Sequence, residues 1–122
     1  MRNVCCTIFS ASDVDSSNGM KVDANQLVSA SFQVIITDTD LDGTIKIQAS
    51  NDPQVPSGSA RSTFTPTNWS DIPNASVTVT DGVPSAGLIV IPNMAFSWIR
   101  AVVTQTTPGS GIATVNMNAL GM

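Results

Sequence analysis

Between Leu27 and Asp52 apolar and polar residues alternate one by one, LVSASFQVIITDTDLDGTIKIQASND, and this rhythm limits what the chain can become. Phe32, Val34 and Ile36 alternate with Ser31, Gln33 and Thr37, apart from Ile35, which stands on the outer side. After an Asp-Gly pair, Ile45, Ile47 and Ala49 alternate with Thr44, Lys46 and Gln48. A period of two sends successive side chains to opposite faces of a strand, so each half reads as a strand with one buried face. Gly43 tolerates the positive φ of a tight turn, which makes a β-hairpin the expected arrangement. Its strands are expected over Val28 to Thr37 and Thr44 to Ser50.

Composition agrees with strands. All nine acidic residues are Asp, Lys occurs only at Lys21 and Lys46, and Val, Ile, Thr and Ser are abundant. Helix formers are therefore scarce, while Asp, Asn, Gly and Pro supply turns. A first strand is expected at Val4 to Phe9, with residues 1–26 forming an N-terminal arm or edge strand and Ser10 to Gly19 an exposed loop. Pro53, Pro56 and Pro66 interrupt Asn51 to Asn68, which reads as a long contact loop pinned at its far end by Phe64. Trp69 to Ile72 is a short extended piece closed by Pro73. Val77 and Val79 alternate up to an Asp81-Gly82 turn, and Leu88 to Ile91 is an apolar strand. In Ser97 to Gln105, Ile99, Ala101 and Val103 face the core, while Trp98, Arg100, Val102 and Thr104 point outward. After a turn at Pro108 to Gly111, the last strand runs from Ile112 to Leu120. The 122 residues are thus expected to make one all-β domain. Its form is a single antiparallel β-sandwich, jelly-roll-like, of about seven or eight short strands.

Several functions are excluded by what the chain lacks. Five cationic side chains cannot build a basic stripe, so no nucleic-acid partner is expected. His and Tyr are absent and no Ser or Thr has a base beside it, so the chain is not expected to be an enzyme. No apolar run approaches a membrane span, and the start, MRNVCCTIFSASD, has no secretory core, which places synthesis in a cytoplasm. The adjacent Cys5 and Cys6 point to opposite faces of a strand, one toward the core and one near the surface, with an interchain disulfide as the alternative. Asp38, Asp40 and Asp42, followed by Gly43, match the first half of a calcium loop, but Ala49 stands where the bidentate Glu belongs. An acidic solvated turn is the competing reading, and no other cofactor is expected. Trp69 and Trp98 suit a core or interface, or a sugar platform. Arg100 suits stacking on an aromatic ring or pairing with Asp71. Pro53, Pro56 and Arg61 are the contact candidates in the long loop. The low charged fraction suits a surface that meets other protein.

Three pieces occur in a telling order: GTIKIQASNDP, NWSDIPNASVTV and SWIRAVVTQTTPGSGIATVNMNALG. Together they resemble the small β-sandwich virion structural proteins of tailed bacteriophages, over residues 27–121. The matching positions are Gln48, Ser50, Asn51, Asp52, Trp69, Asp71, Ile72, Arg100, Gly109 and Gly111, the last two in a Ser-Gly-rich hairpin before the final strand. The resemblance implies a domain that coats or attaches to a particle, with residues fixing turns and packing rather than chemistry. A capsid decoration or cement protein is the expectation. Its partners would be the major capsid or other virion proteins, and it would form a homo-oligomer, a trimer on a local three-fold axis. A tail, fibre or head-fibre component binding a receptor or carbohydrate is the alternative.

Overall fold

The computed structural model describes residues 2–12, 16–18, 21–25, 27–37, 42–52, 64–107 and 112–121. They form β1 (Arg2–Ser12), β2 (Ser16–Asn18), β3 (Val22–Asp23), β4 (Leu27–Ile36), β5 (Asp42–Ser50), β6 (Ser70–Thr80), β7 (Val83–Pro84), β8 (Leu88–Ile91), β9 (Trp98–Thr107) and β10 (Ile112–Gly121). The architecture is all-β, as the composition indicates. A four-stranded sheet runs β1-β10-β4-β8, and a six-stranded sheet runs β2-β9-β5-β6-β7 with β3 also on β9. Every pairing is antiparallel. The order β1-β10-β4-β8 facing β2/β3-β9-β5-β6 is that of a jelly roll, in which most consecutive strands belong to opposite sheets.

This topology overturns the expected hairpin. β4 pairs with β10 and β8, whereas β5 pairs with β6 and β9, so the two halves of the Leu27–Asp52 stretch lie in different sheets. Alternation reports that one face is buried and says nothing about which strand lies alongside. Asp42 and Gly43 belong to β5, with a bulge between them opposite β9. The expected hairpin of the last two strands fails in the same way, because β9 and β10 lie in opposite sheets.

The Asp81-Gly82 turn does form. Thr80 pairs with Val83, and Asp81 and Gly82 have φ of 49° and 77°. Positive φ at both central residues is the requirement of a type I′ turn, and its twist matches the flanking strands. β6 joins two pieces that the sequence separates at Pro73. Between the pairs Lys46–Ser76 and Gln48–Asp71 the strand bulges, with Asn74 at φ 62°. A bulge accommodates a proline that cannot donate and an Asn that tolerates the left-handed region. The loop expected over Ser10 to Gly19 is instead partly strand: β1 continues to Ser12, and Ser16–Asn18 pairs with Thr104–Val102. Polar side chains signal exposure there, while the ladder depends on the backbone alone.

The inner faces meet in one cluster. Phe32, Val34, Val115 and Met117 of the four-stranded sheet pack with Ile45, Ile47, Val77, Ile99 and Val103 of the other, all buried. Full burial of each such side chain stabilises by about 1.5–3 kcal/mol. Ile99, Ala101 and Val103 face inward as their spacing indicates. Ile35 is exposed and Ile36 half-buried.

Candidate functional site

The sandwich offers two outer faces. On the six-stranded sheet, a polar ladder crosses β9, β5 and β6. Arg100 donates to Gln48 Oε1 from Nε at 3.0 Å and Nη2 at 2.8 Å. Gln48 Nε2 donates to Asp71 Oδ1 at 2.8 Å, and Lys46 Nζ lies 3.2 Å from Asp71 Oδ2. The register makes this possible, because Gln48 sits directly between Arg100 and Asp71. Gln48, which can accept and donate at once, links a cation to an anion without being either. Its hydrogen bond, and then Lys46, holds the Asp71 carboxyl below its ordinary range. The Arg100 guanidinium also stacks 4.3 Å from the centroid of Trp69, whose Nε1 donates to the Pro66 carbonyl at 3.0 Å. Arg100 therefore stacks on an aromatic as its setting indicates, and reaches Asp71 through Gln48 rather than directly.

Trp98 points to this same outer side yet is 2 % exposed. Phe64 covers it, with ring centroids 5.9 Å apart, and so does Lys21, whose Nζ lies 5.3 Å from the ring centroid and donates to the Phe64 carbonyl. A ring so covered has no face to offer a sugar. Phe64 is itself held at the end of the long loop. Asp52 accepts from the backbone N–H of Thr67 and Asn68 and from Asn68 Nδ2 at 2.8–3.0 Å. These bonds, the Asn68 side chain first, lower the Asp52 pKa. Ser50 Oγ accepts from Asp52 N, and Asn51 Oδ1 accepts from Ser97 N. The Gln-x-Ser-Asn-Asp motif is thus a clasp that ties the end of β5 to Thr67, Asn68 and Ser97.

The outer face of the four-stranded sheet is of another kind. β10 presents Thr114, Asn116 and Asn118, and β4 presents Ser29, Ser31 and Gln33. β1 contributes Cys5 and Thr7, which hydrogen-bond Asn118 and Asn116 at 3.2 and 2.7 Å. β8, at the sheet edge, exposes Leu88 and Val90, 56 % and 61 % accessible, and Ile35 extends this apolar strip. Among the described residues, none of these outward positions carries a charge. Beside the strip lie two shallow depressions of about 440 and 410 Å³ that share Ser31 and Asn118. None of the described candidate residues lies on this face, although its signal was present in the uncharged outward positions of β4 and β10, Ile35 among them.

Other candidates are placed as follows. Asp42 Oδ1 accepts from the backbone N–H of Asp81 at 2.9 Å, so it caps the Asp81-Gly82 turn. Asp38 and Asp40, and the loop residues Pro53, Pro56 and Arg61, lie outside the described residues. Among the described residues no group of three or more His, Cys, Asp or Glu could hold a metal ion. Cys6 is half-buried against the core, and that burial, with Cys5 adjacent, pushes its thiol pKa up.

No protein-family model matches the sequence, and no curated protein matches it. Its fold is similar to that of the SPBc2 prophage-derived protein YomS, whose crystal structure superposes with a TM-score of 0.60 over 97 % of this chain and 92 % of that one, at 12 % identity.

Proposed function

We propose that this chain is a bacteriophage virion structural protein that binds the assembled capsid shell and stabilises it as a decoration or cement protein. The observation that carries the reading is the fold shared, over nearly the full length of both chains, with a prophage-derived protein. The uncharged outer face of the four-stranded sheet supports it, because depletion of charge and exposure of aliphatic side chains suit a protein contact. The work is mechanical and needs no catalysis or cofactor. Each copy bridges neighbouring shell subunits, and its binding free energy opposes their separation. Symmetric repetition multiplies a modest interface over the particle. The covered Trp98 offers no ring face to a glycan, and the half-buried Trp69 carries Arg100 on its ring, so the receptor-binding fibre reading has less in its favour.

Quantitative peptide mass spectrometry on purified particles tests this. A copy number comparable with that of the major capsid protein is expected. A small fraction of it would move the chain to a vertex, tail or fibre, and absence from the particle would end the virion reading.

A further inference from the structure

We propose that the outer face of the four-stranded sheet docks a second copy of this chain, face to face about a two-fold axis. Charge argues first. The chain carries a net charge of −4, and a two-fold contact sets each group near the axis against its own copy. Any charge there meets the same charge. The face formed by Ser31, Gln33, Asn116, Asn118, Leu88 and Val90 carries no charge and avoids this cost. The opposite outer face would have to bury Lys46, Asp71 and Arg100, whose charged groups already have partners within the sheet.

Shape argues second. Leu88 and Val90 stand up from the edge strand β8 as an apolar ridge. Next to them lies the depression of about 440 Å³, lined on its outer side by Ser29, Ser31, Asn118 and Leu120. A two-fold rotation lays the ridge of each copy in the depression of the other, so the surface is complementary to itself. Size argues third. Three strands of ten or eleven residues and the four-residue β8, at ~3.3 Å per residue and ~4.8 Å spacing, give roughly 550 Å² per copy, at the lower end of what a specific interface buries. A face that meets itself makes a two-fold pair in place of the expected trimer. Pairing and shell binding would compete for this face, so a pair in solution separates before it binds a particle; sedimentation of the purified chain and the particle count test the two readings separately.

Sedimentation equilibrium of the full chain provides the test. A dimer is expected that dissociates in the micromolar range. Leu88→Lys with Val90→Lys is expected to weaken it about 100-fold by burying unpaired charge. Asn118→Arg, at the middle of the face, should act likewise if the double variant fails to fold by circular dichroism. Thr78→Lys, on the other outer face, should leave the dimer intact. A wild-type monomer at every accessible concentration overturns the proposal, as does a trimer. So does a dimer that survives both face variants and is broken by Thr7→Pro, which would indicate edge pairing through β1.

Discussion

The two outer faces of the sandwich arise from the same strand alternation and diverge in what they do with their side chains. On the six-stranded sheet, polar and aromatic groups turn to one another. Lys46, Asp71, Gln48, Arg100 and Trp69 form one connected series, and Phe64 and Lys21 close over Trp98. On the four-stranded sheet, small amides and hydroxyls lie level with the strands and the aliphatic side chains of β8 project outward. The first face is consumed by holding the protein together. The second is left for something else to cover. The difference teaches that, among the described residues, charge on the sandwich faces marks internal structure, whereas its absence marks the available surface.

The sharpest way to break the comparison is to remove one large side chain from each face. Trp98→Ala should cost about 3–5 kcal/mol in chemical denaturation, because it leaves a cavity beneath Phe64 and Lys21. Leu88→Ala should change stability by no more than about 0.5 kcal/mol in the monomer, since its side chain is exposed. Similar losses at both sites would mean that the six-stranded face is no more closed than the other.

A smaller effect tests the ladder. Gln48→Ala removes both the acceptor of Arg100 and a donor to Asp71, and should cost about 1 kcal/mol, the range of a part-exposed hydrogen-bonded pair. The Asp71 pKa, followed by NMR titration, should rise toward the ordinary carboxylate value because its principal hydrogen bond is gone. An unmoved Asp71 would show that Lys46 alone sets it. Thr7→Ala, which cuts a bond on the four-stranded face, should have less effect, since Asn116 stays in reach of water.

How far the sequence foretold this depends on range. The inward positions Ile45, Ile47, Ile99, Ala101 and Val103 were legible, because burial imposes a period of two wherever the partner lies. Partners were not. Of two Asp-Gly pairs, Asp81-Gly82 makes a hairpin, while Asp42-Gly43 lies within β5 and Asp42 caps the other turn. The local dipeptide is the same, and what distinguishes them is a contact between residues 39 apart in the chain. Trp98 likewise faces the side its spacing indicates. Its burial comes from Lys21 and Phe64, which no pattern near Trp98 announces. The Gln-x-Ser-Asn-Asp motif was visible, but its work as a clasp becomes plain only once Asp52 is seen to hold Thr67 and Asn68.

Acid should separate the faces with the smallest perturbation. Asp52 and Asp71 have pKa values lowered in the folded protein, the first by the Asn68 side chain and neighbouring backbone N–H groups, the second by Gln48 and Lys46. An unfolded Asp titrates near ~3.9. Above that value both states are ionised and the stabilisation is complete. It is lost as pH falls through the lower folded values, because the folded state must then take up protons at carboxylates whose hydrogen bonds favour the charged form. The unfolding midpoint should therefore hold steady from neutral pH to about pH 5 and decline below about pH 4. Asp52→Asn and Asp71→Asn should each flatten part of that decline, and Asp52→Asn should also loosen the loop that carries Phe64 over Trp98. Fluorescence of Trp98, read in a Trp69→Phe background, would report that opening before the sandwich unfolds. On the four-stranded face the described outward positions hold no carboxylate, so the same acid step should leave the protection factors of β4 and β10 amides, corrected for the intrinsic pH dependence of exchange, unchanged until global unfolding. Exchange that rises in β4 and β10 together with the Trp98 signal would mean that the two faces share one acid-sensitive unit and that the contrast between them is chemical only.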